Sequence, residues 1–152
     1  MRVRTLDCEV WMPQEPATVF PFFSAAANLN AITPRWLHFR MITQPDIELR
    51  KGTLLEYRLR LHGVPVRWVS EITDWNPPFS FVDEQRIGPY RKWVHAHSFT
   101  LEHGGTTMKD HVEYALPGGL FEPYVEHLLV RPDLEKIFAY RSEVILKKFN
   151  GK

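Results

Sequence analysis

With 152 residues, the chain is long enough for one domain with a substantial core, or a core with a cavity inside it. Its 19 basic and 18 acidic side chains nearly cancel, which leaves nothing to draw it to nucleic acid or an anionic membrane. The lone Cys8 excludes an intramolecular disulfide and fits a reducing, cytoplasmic setting, and no run reaches the ~20 apolar residues of a membrane span.

The N-terminal MRVRTLDCEVW lacks an apolar leader core and a small-residue cleavage motif, so no secretory leader is expected. Arg2 to Met12 alternates, with Leu6, Cys8, Val10 and Met12 on one face, and predicts a half-buried strand. Pro16 fits the first turn of a helix, and Val19, Phe20 and Phe23 form its apolar stripe. Pro21 within it predicts a short or bent helix. A second short helix is expected from Ala26 to Thr33, with Leu29 and Ile32 buried and Pro34 ending it.

From Trp36 the apolar period becomes two, and it stays so for about eighty residues. Trp36 to Thr43 predicts one strand. Thr53 to Leu61 and Val64 to Trp75 predict a hairpin around His62-Gly63, with Leu61 opposite Val64. That pairing turns Leu55, Tyr57, Leu59, Leu61, Val66, Trp68 and Ile72 to one face. Glu56, Arg58, Arg60, Arg67 and Glu71 fall on the other, as in an antiparallel sheet with one wet face. Asn76-Pro77-Pro78 predicts a turn, Phe79 to Ile87 a strand, and Gly88-Pro89-Tyr90 a turn.

The stretch from Pro89 to Pro117 carries the strongest hairpin signal, centred on Gly104-Gly105. Pairing His103 with Thr106 sets Leu101 against Met108, Phe99 against Asp110, His97 against Val112 and His95 against Tyr114. These residues and Trp93 then share one face. That face is mostly apolar, yet it carries two histidines, a carboxylate and a phenol, which suits a ligand chamber better than a solid core. Beyond Pro117-Gly118-Gly119, Phe121 to Val130 predicts a helical lead-in. The main helix is expected to start at Pro132-Asp133, with Leu134, Ile137, Phe138, Ile145 and Phe149 on one face and Arg141 mid-stripe. This order predicts an α+β fold: a seven-stranded curved antiparallel sheet wrapped around a long C-terminal helix, with two short helices between strands 1 and 2.

That order, carried by PATVFPFFSAAANLNAITPRWLHF, DEQRIGPYRKWVHAHSF, GGTTMKDHVEY and IFAYR, resembles the START/SRPBCC superfamily of helix-grip proteins. The superfamily includes plant-allergen-like, polyketide cyclase/dehydrase and lipid-transport proteins, and the likeness is greatest to bacterial stand-alone members. The resemblance spans nearly the whole chain as a single domain. It implies a deep, largely apolar cavity between sheet and terminal helix. It is specific for fold rather than activity, because the superfamily holds binders, carriers and enzymes alike.

The expected cavity residues are Tyr57, Leu59, Trp68, Trp93, His95, His97, Phe99, Asp110, Val112, Tyr114, Phe138 and Arg141. So many aromatic side chains suit a planar or hydrocarbon-rich ligand, such as a lipid, a polyketide or an isoprenoid-like molecule. His95-Ala96-His97 points two imidazoles the same way, as metal ligands often do, and with Glu102 it mimics a cupin string. Glu102 has the wrong parity, however, and the second cupin motif is missing. No metal and no tightly bound cofactor are therefore expected, and a buried polar network is the better reading. Asp110 needs a partner, either Arg141 or His97, and these three form the expected inner polar cluster. Asp83 and Gln85 share a parity, and whether they face inward depends on the register through the Gly88-Pro89-Tyr90 turn, which the sequence leaves open. A cyclase or dehydratase-like enzyme would draw its acid and base from His95, His97, Asp110 or Tyr114. A regulatory interaction protein is a third reading.

Overall fold

The computed structural model describes residues 1–150. Strand β1 (Arg4–Met12) leads into helix α1 (Pro16–Phe23), and two 3₁₀ turns follow, Ala26–Ile32 and Arg35–Leu37. The remaining strands are β2 (Arg40–Met41), β3 (Leu54–Leu61), β4 (Val64–Asn76), β5 (Ser80–Ile87), β6 (Lys92–Glu102) and β7 (Gly105–Ala115). All seven strands form one antiparallel sheet in the order β1-β7-β6-β5-β4-β3-β2. Two register shifts in the β4–β5 ladder interrupt its regular pairing, as bulges do where a sheet bends. No helix among the described residues is long and apolar enough to cross a membrane.

Two short helices do stand between the first two long strands, but the expected strand from Trp36 to Thr43 does not form. His38 takes a left-handed conformation (φ 49°), which breaks extension, so only Arg40–Met41 pairs with β3. Leu37 is thereby folded inward while Trp36 stays exposed against Tyr140 and Lys136.

The β6–β7 hairpin also turns one residue earlier than its Gly-Gly pair suggests. His103 (φ 50°) and Gly104 (φ 74°) form the two-residue turn, and Glu102 pairs with Gly105. Two successive positive φ angles are what a tight hairpin of this hand requires. Gly105 is glycine for another reason: a Cβ there would lie 2.1 Å from the Met12 carbonyl oxygen of the neighbouring strand. The pairing therefore slides by two residues, to Leu101–Thr106, Phe99–Met108, His97–Asp110, His95–Val112 and Trp93–Tyr114. A slide of two preserves the faces, so Trp93, His95, His97 and Phe99 all remain buried. Leu101, close to the turn, does not; it is exposed.

The terminal helix begins earlier than Pro132. Helix α2 (Glu122–Val125) continues through a π turn (Glu126–Val130) into helix α3 (Arg131–Asn150) without a break. Pro132 is tolerated directly after the π turn, where the ordinary i→i−4 ladder is already interrupted. Leu134, Phe138 and Ile145 are buried, with Leu134 and Phe138 among the aromatics of β4, β6 and β7. Ile145 packs into a second cluster with Phe20 and Phe23 of α1, Phe81 and Phe99. A third, smaller cluster holds Ala26, Leu49 and Leu55. The space left among the three clusters is the cavity.

Candidate functional site

The cavity measures about 190 Å³ and is walled by β3 to β6, the 3₁₀ turns and α3. At roughly 10–15 Å³ per water-sized group it has room on the order of a dozen heavy atoms. One part of the wall is aromatic. Tyr57 stacks on Trp68 at 6.0 Å, Trp68 meets Trp93 edge-on at 5.4 Å, and Tyr90 tilts onto Trp93 at 4.8 Å. Tyr90 is held in place by Gln85, whose amide donates to the Tyr90 carbonyl (2.6 Å) and accepts from its N–H (3.0 Å). Trp68 donates its indole N–H to Ser70 Oγ at 2.9 Å, so the polar edge of the largest ring is satisfied inside the wall.

Next to it on the same sheet runs a polar strip, with Trp93 edge-on to His95. The alternation of β5 and β6 brings Asp83, His95 and His97 to the inner face, and Arg141 reaches in from α3. His97 donates from Nε2 to Asp83 (2.7 Å), and His95 donates from Nε2 to Asp110 (2.7 Å). Arg141 Nη2 donates to the same Asp110 oxygen at 3.4 Å. The two imidazoles stack face to face at 3.7 Å, and Phe81 stacks on the outer face of His97 at 4.1 Å. Burial, then the neighbouring charge of His95, pull the His97 pKa down to about 4 despite its two carboxylate neighbours. Burial pushes the carboxyls of Asp110 and Asp83 up. Arg141 and the histidine hydrogen bonds outweigh that, and both carboxyls titrate below their ordinary range.

Of the expected residues, Tyr57, Leu59, Trp68, Trp93, His95, His97, Phe138 and Arg141 lie on the cavity wall. Phe99, Asp110, Val112 and Tyr114 are buried one layer behind it. Phe99 packs among Phe20, Phe23 and Phe81. The Tyr114 hydroxyl turns away from the histidines and meets Glu126 (3.0 Å) and Arg131 (3.3 Å), because β7 passes under the α2–α3 junction there. Asp110, His97 and Arg141 do cluster, but His95 rather than His97 makes the short bond to Asp110. Asp83 is the member of the polar strip that the candidate list lacked, and Ser70, Phe81 and Tyr90 on the wall were missing from it as well. The parity of Asp83 with Phe81 was the available signal, and the ladder Asp83–His95 fixes it.

Asp83, His95 and His97 also bring possible ligand atoms within 4.8 Å of one another. Stacked rings hold their in-plane lone pairs side by side instead of converging on a point, and each Nε2 is already engaged by a carboxylate. The geometry is that of a hydrogen-bonded relay, Asp83–His97 stacked on His95–Asp110–Arg141.

No family model and no curated protein matches the sequence. Solved structures do match along almost the full length. Major latex-like protein 151 from Panax ginseng superposes with a TM-score of 0.70 at 10% identity, covering 97% of each chain. The ZhuI aromatase/cyclase from Streptomyces sp. R1128 gives 0.67 at 13% identity, covering 96% of each. The chain has the helix-grip fold. Protein Ms6760 from Mycobacterium smegmatis shares it as well, with a TM-score of 0.66 at 15% identity over 95% of this chain and 94% of that one. At such identities the likeness is one of architecture, and function must be argued from the site.

Proposed function

We propose that this helix-grip chain binds a small, ring-containing or hydrocarbon-rich molecule in the cavity between sheet and terminal helix. The observation that carries this reading is the wall itself: a cavity of about 190 Å³ lined mostly by aromatic and aliphatic side chains, with one polar strip set among them. An apolar body desolvates against the rings while one polar end meets the strip, so the strip fixes orientation and the rings supply affinity. Lipid, polyketide and isoprenoid fragments all satisfy that division. Titration with the fluorophore N-phenyl-1-naphthylamine tests it. Emission should rise and saturate with the native protein. Leu59→Trp, which fills the chamber, should abolish the rise while the far-ultraviolet spectrum stays native. No rise with the native protein, or an undiminished rise with Leu59→Trp, would refute internal binding.

A second reading, a cyclase or dehydratase-like enzyme, is favoured by the Asp83–His97 pair. A neutral imidazole oriented by a carboxylate at a cavity wall is the arrangement of a general base. The aromatase/cyclase neighbour is consistent with this reading. Turnover of a polyketide-like substrate that is lost in His97→Ala would establish it.

A further inference from the structure

The lead-in to the terminal helix is inside out. Two residues turn an α-helix by about 200°, so Glu122 and Glu126 lie on the face opposite Leu120, Tyr124 and Leu128. The acidic face is the covered one. Glu122 and Glu126 are both paired with Arg4 of β1, their side chains only 11% and 12% exposed, and Glu126 also accepts from the Tyr114 hydroxyl at 3.0 Å. The apolar face is turned to solvent. Leu120, Phe121, Tyr124 and Leu128 are 66–84% exposed, and Val125 and Leu129 are 42% and 43% exposed. Rolling the segment to bury these side chains would break both ion pairs and strand Arg4, so the inversion is fixed.

At about 200 Å² for a large residue, these exposures amount to roughly 750 Å². That exceeds the ~300–600 Å² of the largest apolar patch on a typical monomer and approaches the ~800 Å² that each partner brings to a stable interface. The stripe is also symmetric. It falls as the doublets Leu120-Phe121, Tyr124-Val125 and Leu128-Leu129, evenly spaced about the middle one. A two-fold axis through that doublet runs the segment antiparallel to its copy and lays each end doublet on the other. Charge favours a second copy over an anionic bilayer. A helix that lies on such a bilayer lines its polar face with Lys and Arg, whereas this one carries glutamates, and no Lys or Arg occurs from Gly118 to Val130.

We infer that the chain forms a two-fold dimer through this face. Leu120 and Phe121 of one protomer pack on Leu128 and Leu129 of its partner, with Tyr124 and Val125 at the axis. The face is separate from the chamber, whose wall includes none of these residues.

Sedimentation velocity of the full chain from about 1 to 100 µM should show a dimer that gives way to monomer on dilution. Leu120→Lys and Leu128→Glu each set a charge in the interface and should weaken self-association at least about thirtyfold. Both sites are exposed in the protomer, so the far-ultraviolet spectra should stay native. If either variant lost its native spectrum, Tyr124→Lys, which brings two like charges together at the axis, takes its place. Mixing Leu120→Lys with Leu128→Glu should restore dimers, because antiparallel pairing sets opposite charges against each other. A native chain that stays monomeric to about 100 µM would overturn the inference, as would dimers that the single variants leave intact. A mixture that stays monomeric would overturn the antiparallel pairing. A monomeric native chain that floats with phosphatidylcholine vesicles would assign the face to a lipid surface instead.

Discussion

Asp110→Asn changes one atom in a residue that joins three elements, and its effect can be worked out from the distances. Asp110 on β7 accepts from His95 on β6 at 2.7 Å and from Arg141 on α3 at 3.4 Å. Asparagine keeps an oxygen for His95 but removes the charge opposite a guanidinium that is itself 12% exposed. Breaking a buried ion pair from one side costs about 3–5 kcal/mol, and the retained acceptor places this case near the lower end, about 3 kcal/mol. For a chain of this length that corresponds to a fall in Tm of about 6–12 °C. Arg141→Met in the same background removes the stranded cation, so the double variant should recover at least about 2 kcal/mol over Asp110→Asn alone. The Asp110 carboxyl is held below its ordinary pKa of 3.8, so its contribution is complete above that value and lost as pH falls. The deficit of Asp110→Asn should thus be constant from pH 5 to 8 and shrink below about pH 4. Differential scanning calorimetry of the native protein, Asp110→Asn, Arg141→Met alone and the double variant reads all of this. A Tm for Asp110→Asn within about 1 °C of the native value, or strictly additive effects in the cycle, would refute the pairing of helix to sheet through Asp110.

His97 also loses stability in acid, over a higher pH window. Its pKa falls from 6.5 unfolded to about 4 folded, so the unfolded chain takes up a proton first as pH drops. Stability should be full above pH 6.5 and fall by about 3 kcal/mol by pH 4, a loss that denaturant titrations should find missing in His97→Phe. Gly105→Ala should cost more than Gly104→Ala in thermal melts. The first drives a Cβ to 2.1 Å from a backbone oxygen, whereas the second meets no atom within 4 Å and bears only the strain of a positive φ, about 1–2 kcal/mol. Tyr114→Phe should lose about 1 kcal/mol by removing the bonds to Glu126 and Arg131, yet leave N-phenyl-1-naphthylamine affinity unchanged.

Side-chain parity was the most legible property of this chain. The inward set of β3, β4 and β6 follows from alternation alone, and it survives even the misplaced turn, because a slide of two residues returns every side chain to its face. Cross-strand partners are less robust. Gly104-Gly105 suggests a turn, whereas His103-Gly104 makes it, in the same way that His62-Gly63 closes the β3–β4 hairpin. The second glycine answers to a backbone on another strand, which no local pattern records. The Trp36 to Thr43 run has strand composition, but a left-handed His38 decides otherwise. The relay was half visible. Asp110 and Arg141 could be paired from one helix face and one strand face, while Asp83 required the β5–β6 register, and that depends on a Gly-Pro turn held by the Gln85 side chain.

The π turn at Glu126–Val130 has a consequence for how the terminal helix is phased. Glu126 meets Arg4 of β1, and Leu134 eight residues later enters the core. In an unbroken α-helix eight residues advance by about 800°, which leaves the two side chains about 80° apart. A π turn takes up one residue, so the interval behaves as seven and the offset shrinks to about 20°. Both ends of the helix can then be anchored to the same sheet, Glu122 and Glu126 on Arg4 and Arg141 on Asp110. The five residues of that turn thus act as a phase corrector, and they set the angle at which the cavity's guanidinium meets its carboxylate.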